Sequence, residues 1–190
     1  MIEVKRTTKE TDITVRLNLY GSGETNISTG VGFLDHMLDA FGRHAHIDLE
    51  VSCDGDTHID DHHSVEDIAI VLAKALHQAI YPVQNIERYG NAIVVMDEAS
   101  VGCDIDISNR GYLVFELPIG GKVGDFDVEL VEEFFRAFAM NLPITLHLTY
   151  HRGTNKHHII EAAFKALAVA LRRAVAINEN AGIPSTKGVL

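Results

Sequence analysis

Asp61-His62-His63-Ser64-Val65-Glu66 is written a second time 95 residues further on, as Lys156-His157-His158-Ile159-Ile160-Glu161. Both copies read His-His-x-x-Glu. With eleven histidines in 190 residues, chance would supply about 0.04 such pentads, so the repetition needs a cause. On a helix, residues four apart share a face while adjacent residues diverge by roughly 100°. His62 and Glu66 can therefore hold one cation while His63 faces another, and His157 with Glu161 stands in the same relation to His158. Paired imidazoles with a carboxylate and no thiolate suit Mn, Fe, Zn or Ni rather than a structural zinc site.

The repeat extends along the helices. Aligning 61–80 on 156–175 gives eight identities in twenty positions, among them Leu72/Leu167, Ala73/Ala168, Leu76/Leu171 and Ala79/Ala174. Upstream, Asp35-His36-Met37-Leu38-Asp39-Ala40-Phe41 superposes on Glu132-Glu133-Phe134-Phe135-Arg136-Ala137-Phe138, so that His36 answers to Glu133. An internal duplication is the economical explanation. It predicts an α+β chain forming a single domain of two similar half-units, about 1–84 and 85–190. Period-two alternation places strands over 2–7, 12–20 and 46–53 in the first half, and helical spacing places helices over 33–43 and from Asp60 or Asp61, as cap, to Pro82. In the second half it gives strands over 91–96, 101–107, 112–117 and 144–150, with helices over 128–140 and 157–178.

Two cation sites of mixed parentage then emerge. One swapped assignment is His36, His63, His157 and Glu161 for the first metal, with Glu133, His158, His62 and Glu66 for the second; sequence alone leaves open which half completes which site. Among the other histidines, His44 lies two turns beyond His36, whereas His46, His58, His77, His147 and His151 read as surface or packing residues. Outside the cluster, Glu10 and the pair Asp97-Glu98 are the acid/base candidates. Sliding the first strand pair by 88 residues puts Glu10 on Glu98. Arg88, Arg110, Lys165 and Lys187 are the cations that could grip an anion, and Ser185, Thr186 and nearby backbone N–H groups could join Lys187 around a phosphate.

At 46% apolar the chain can bury a real core. A formal charge of −11 argues against a nucleic-acid surface, which needs clustered cations. There is no apolar run of membrane-spanning length and no signal peptide at the start, so the reading is cytoplasmic, with Cys53 and Cys103 as buried side chains in a reducing compartment.

Phe33-Leu34-Asp35-His36-Met37-Leu38, the segment from His58 to Asp67, Asn109-Arg110, His157-His158-Ile159-Ile160-Glu161 and the tail from Pro184 to Leu190 together resemble the imidazoleglycerol-phosphate dehydratase family of histidine biosynthesis. The resemblance spans essentially the whole chain. It implies a half-unit like the second domain of ribosomal protein S5, a mixed β-sheet with helices on one face, and a homo-oligomer of 24 subunits with shared active sites. It implies two Mn²⁺ per active site held by His36, His62, His63, Glu66, Glu133, His157, His158 and Glu161, with Glu132 as the fallback for Glu133. It also implies a phosphorylated imidazole substrate contacted by Glu10, His36, His44, His62, Glu66, Arg88, Arg110, His157, Lys165, Ser185 and Lys187, with Glu10, Glu66 and Glu161 catalytic. The implied reaction is difficult because the departing proton sits on a carbon with no adjacent carbonyl, so the imidazole ring must supply the electron push. A dinuclear hydrolase and a non-enzymatic RNA-binding module are the competing classes, and the acidic charge counts against the second.

Overall fold

The computed structural model describes residues 1–188 and 190; Val189, part of the tail motif, lies outside the described residues. The first half runs β1 (Ile2–Thr7), β2 (Thr11–Asn18), β3 (Thr25–Ser28), α1 (Gly32–Ala45), β4 (Asp48–Gly55) and α2 (His62–Ile80). The second runs β5 (Tyr89–Met96), β6 (Ala99–Asp106), β7 (Tyr112–Glu116), a short hairpin of β8 (Lys122–Val123) and β9 (Phe126–Asp127), α3 (Glu129–Asn141), β10 (Thr145–Arg152) and α4 (Lys156–Ala174).

The two sheets have one topology, β1-β2-β4-β3 and β5-β6-β10-β7. In each, the first three strands pair antiparallel and the last pairs parallel to its neighbour. Even the registers superpose, since Ile2 opposite Leu17 becomes Gly90 opposite Ile105, and Leu17 opposite Leu49 becomes Ile105 opposite Leu146. The 88-residue slide of the hairpins is therefore a structural equivalence. Each half is a four-stranded sheet covered on one face by its own two helices.

The inward faces of the central strands, Ile13, Val15 and Leu17 on β2 and Val101, Cys103 and Ile105 on β6, are buried. Against them lie helices apolar around most of their circumference, which is the pattern of a helix covered on two sides. The second side is the other half: α1 packs on α4, and α2 on α3. At the centre Phe41 meets Phe138 edge-on at 6.3 Å, while Phe164 of α4 lies 5.0 Å from Phe134 and 4.9 Å from Phe135 of α3. Truncating one such phenylalanine to alanine typically costs about 3–5 kcal/mol, so the halves form one cooperative core.

The structure corrects several sequence boundaries. β3 and the β8–β9 hairpin were not foreseen. α4 ends at Ala174 rather than 178, where the Ala176 N–H turns back to the Arg173 carbonyl and Ile177 bridges to Ile86. The strand expected over 46–53 is Asp48–Gly55, because His46 adopts a left-handed conformation that closes α1. Of the two candidate caps for α2, Asp60 accepts the His62 N–H at 2.9 Å and Asp61 makes no side-chain cap bond. No helix among the described residues is long and apolar enough to cross a membrane.

Asp48 ties the turn after β2 to β4. Its Oδ1 accepts the N–H groups of Ser22, Gly23 and Glu24, and these donors hold its carboxyl at about 2, below the usual 3.8. A carboxylate depressed in the folded state stabilises above its unfolded pKa, and that contribution is lost as pH falls through the folded one. Asp48→Ala is expected to lower the melting temperature at neutral pH, with the gap to wild type closing between pH about 4 and about 2; a gap independent of pH in thermal melts would contradict this account.

Candidate metal centre and substrate site

α2 and α4 each begin at a pentad, so the histidines occupy the first turn, where all four are half-buried. In α4 the start is capped by Asn155, whose Oδ1 accepts the His157 N–H at 2.9 Å. The packing of α1 on α4 brings His36 to this turn. The Nε2 atoms of His36 and His157 lie 3.4 and 3.3 Å from Glu161 Oε2, and the ligand atoms of all three lie within 4.8 Å of one another. Ligands about 2.1 Å from one small cation sit roughly 3 Å apart, so this donor set fits a divalent metal. Glu161 divides its oxygens, with Oε1 on Lys165 Nζ at 2.6 Å and Oε2 on the histidines. Its side chain is nearly buried; desolvation pushes its pKa up, but Lys165 and His36 more than offset this and keep the carboxylate ionised.

Phe33 and the β8–β9 hairpin shape the wall of this site. Phe33 packs on Phe126 at a tilt of 42°, with ring centroids 4.9 Å apart, and meets His157 edge-on at 5.2 Å. His44 stands near the same group; its surroundings, Lys165 and Arg172 together lower its pKa and favour the neutral imidazole.

The mirror arrangement joins α2 to α3. His62 Nε2 lies 3.8 Å from Glu66, and Glu133 faces the same cavity as His62, with Glu132 and Glu129 also on its wall. Glu132 is engaged by Arg136 one turn on, whereas Glu133 has no salt-bridge partner among the described residues. The structure thus brings together His36, His157 and Glu161 of the swapped grouping; His62 lies near Glu66 and shares a cavity wall with Glu133, but these three do not form a comparable ligand cluster among the described residues.

It does not bring in the second histidine of either pentad. His63 Nδ1 lies 3.0 Å from Asp56, and His158 Nδ1 lies 2.7 Å from Glu98. An ionised carboxylate only accepts, so both rings donate Nδ1–H, and in the neutral ring Nε2 is left as the lone pair. This is the orientation that a carboxylate imposes on a metal-ligating histidine. The same contacts raise the pKa of both rings. His63 Nε2 stands 3.8 Å from Glu10.

The structure also separates the two acid/base candidates. Glu98 is locked: its Oε1 accepts the Thr154 and Asn155 N–H groups at 3.2 and 2.8 Å, its Oε2 takes His158, and its pKa falls to about 2. The side chain of its counterpart Glu10 is half exposed, at 52%, and accepts no hydrogen bond among the described residues. A free carboxylate can exchange a proton with a ligand; one held by three donors cannot do so readily. Asp56, which orients His63, was missed from sequence. The repeat could not point to it, because the equivalent role in the second half falls to a hairpin residue, Glu98, rather than to the end of a strand.

Arg88, Arg110, Ser185 and Lys187 line one cavity of about 770 Å³ with Ser108, Asn109 and Thr186. Arg88 is not a free cation there: it makes two bonds to Asp106 and donates to the Pro184 carbonyl, which fixes the tail against the sheet. Arg110, Ser185 and Lys187 have no salt bridge among the described residues. The Arg88 N–H bonds the carbonyl of Ala174 at the far end of α4 from His157. Seventeen residues of helix separate the two ends by about 26 Å.

Comparison with known proteins agrees with this architecture. The imidazoleglycerol-phosphate dehydratase family model matches residues 29–171. Imidazoleglycerol-phosphate dehydratases of Sulfurovum sp. (strain NBC37-1) and Sulfurimonas denitrificans are 80% and 65% identical over the whole of both chains. The crystal structure of the Pyrococcus furiosus enzyme superposes with a TM-score of 0.86 at 41% identity, covering 98% of this chain and 100% of that one. The Staphylococcus aureus enzyme gives 0.83 at 40%, covering 93% and 99%. The chain belongs to the imidazoleglycerol-phosphate dehydratase family, the hydro-lyases of histidine biosynthesis.

Proposed function

We propose that this chain removes water from imidazole glycerol phosphate to give imidazole acetol phosphate with two Mn²⁺ per active site, and that each site is assembled between subunits of a homo-oligomer, of 24 copies by family resemblance. The observation that carries the reading is the convergence of His36, His157 and Glu161 from opposite halves, together with His63 and His158 held apart from that cluster on separate carboxylate mounts. Three ligands on one chain and a fourth Nε2 held apart from them make an incomplete coordination shell that another copy can close. The donor set of imidazoles and carboxylates suits Mn²⁺.

The second support is distance. The substrate, from ring to phosphate, is on the order of 10 Å long by ordinary bond lengths, whereas the cation-lined cavity at Arg110 and Lys187 lies at the opposite end of α4 from His157. A chain cannot hold the phosphate in its own cavity and the ring at its own His157. Each substrate is therefore gripped by Arg110, Ser185 and Lys187 of one subunit and by the histidine cluster of another.

When bound, the cations supply Lewis acidity at the imidazole nitrogens. The protein residues divide the remaining work. Glu161 and Glu66 set the charge at the two ligand groups, and Lys165 neutralises the oxygen of Glu161 that faces away from the histidines. Glu10, beside His63 and without a competing donor, takes the proton from the substrate carbon and returns a proton to the departing hydroxyl. The phosphate grip fixes the reacting carbons relative to Glu10 and so lowers the entropic part of the barrier. The two free cysteines, Cys103 buried and Cys53 partly so, fit a reducing cytoplasm.

His62→Ala and His158→Ala are each expected to lower bound Mn²⁺ and to reduce dehydration at least ~100-fold while the far-ultraviolet circular dichroism is kept; metal analysis beside an assay for the ketone product checks this, and full activity in metal-limited buffer would overturn the dinuclear reading. Glu133→Gln is expected to weaken one of the two metals selectively, whereas Glu132→Gln, which removes only a surface pair with Arg136, should change metal content little. Titration of apoprotein with Mn²⁺ distinguishes them, and the reverse ranking would move the ligand to Glu132.

A further inference from the structure

Beneath the first pentad lies a polar cluster that the second half lacks. Asp67, next to Glu66 on α2, is buried, pairs with Arg6 of β1 and accepts the Thr11 hydroxyl at 2.6 Å. By the registers that superpose the two halves, the equivalent positions are Val94, Ala99 and Ala162, and Ala99 and Ala162 are buried in the core. The same packing is thus achieved elsewhere in this molecule with three apolar side chains. A buried ion pair is often no more stabilising than apolar residues of similar volume, so stability does not account for the cluster.

Its connections do. The Thr11 N–H bonds Thr8 Oγ1 at 3.0 Å, and the Glu10 N–H bonds the same oxygen at 3.1 Å. A continuous path therefore runs from Asp67 on the ligand-bearing helix, through Thr11 and Thr8, to the backbone of Glu10 at the tip of the β1–β2 hairpin. In the second half the hairpin tip is tied down by the Glu98 carboxylate itself, through Thr154, Asn155 and His158. That solution consumes the carboxylate. We propose that Arg6, Thr11 and Asp67 are positioning residues that anchor the β1–β2 hairpin to α2 in place of the Glu10 carboxylate, so that Glu10 is held beside His63 yet stays free for proton transfer. This rests on the reading of Glu10 as the proton-handling group.

The test is to copy the second half into the first. The variant Arg6→Val, Thr11→Ala, Asp67→Ala is made in wild type and in Glu10→Gln, and kcat, KM, bound Mn²⁺ and melting temperature are measured for each. With Glu10 present, the triple change is expected to lower kcat by roughly 10- to 100-fold, the scale of a small misplacement of a catalytic group, with KM and metal content little changed. With Glu10→Gln, the same change should cost less than about twofold, because groups acting through one another are not additive. An equal fold loss in both backgrounds, unchanged kcat, or loss of metal would overturn the proposal. If the triple variant does not fold, Thr11→Val, which removes only the hydroxyl link, reads the same comparison, and equal losses again overturn it. Wild-type kcat in Glu10→Gln alone would remove the reading of Glu10 itself; an inactive Glu10→Gln beside a fully active triple variant would remove only the anchor.

Discussion

The crossed packing of the two halves, α1 on α4 and α2 on α3, is the constraint from which the rest of the site follows. Each half alone would place its ligand-bearing helices side by side on one sheet. Packing the helix layers face to face instead sets His36 of the first half beside His157 and Glu161 of the second, and places Glu133 of the second on the wall of the same cavity as His62 of the first. The phenylalanine cluster of Phe41, Phe134, Phe135, Phe138 and Phe164 fixes this geometry. The placement of these donor groups thus inherits its precision from an apolar interface, since residues at the helix starts are only as well placed as the helices behind them.

Duplication produced two pseudo-equivalent hairpins, and their tips have diverged in a physically legible way. Glu98 serves as a structural anchor, its charge neutralised by two backbone N–H groups and an imidazole. Glu10 keeps an open carboxylate, and the anchoring is shifted to the cluster of Arg6 with buried Asp67 and Thr11. One position is rigid and electrostatically satisfied, the other available. The same economy appears at Arg88, whose guanidinium is held by Asp106 and the Pro184 carbonyl and so shapes the cavity, leaving Arg110 and Lys187 without a salt bridge among its described lining residues.

Much of this was legible in the sequence because duplication doubles every signal. The pentads, the answer of His36 to Glu133 and the 88-residue slide of Glu10 onto Glu98 all describe real equivalences of the fold. What escaped was not periodic. β3, Thr-Asn-Ile-Ser, is an edge strand with one apolar residue, so it offers no alternation to read. β8 and β9 are two residues each. The overrun of α4 followed apolar residues just past its end: Val175 is its buried C-cap, and Ile177 serves a β-bridge to Ile86 instead. No periodic or repeated pattern singles out Asp56 or Asp67; only burial and partners reveal that one mounts His63 and the other holds a hairpin. That Glu98 is held by three donors while Glu10 accepts none among the described residues likewise shows only in the hydrogen bonds.

The central claim is that no single chain contains a complete site, since His63 stands apart from the cluster of His36, His157 and Glu161. It is tested most directly by mixing two inactive variants, His63→Ala and His157→Ala, dissociated and reassembled together with Mn²⁺. Some sites then combine the intact His63 of one variant with the intact His157 cluster of the other. The account predicts that activity reappears in the mixed oligomer, at up to roughly a quarter of the wild-type value if assembly is random, while each variant reassembled alone stays inactive. Mixed oligomers as inactive as either parent would contradict it.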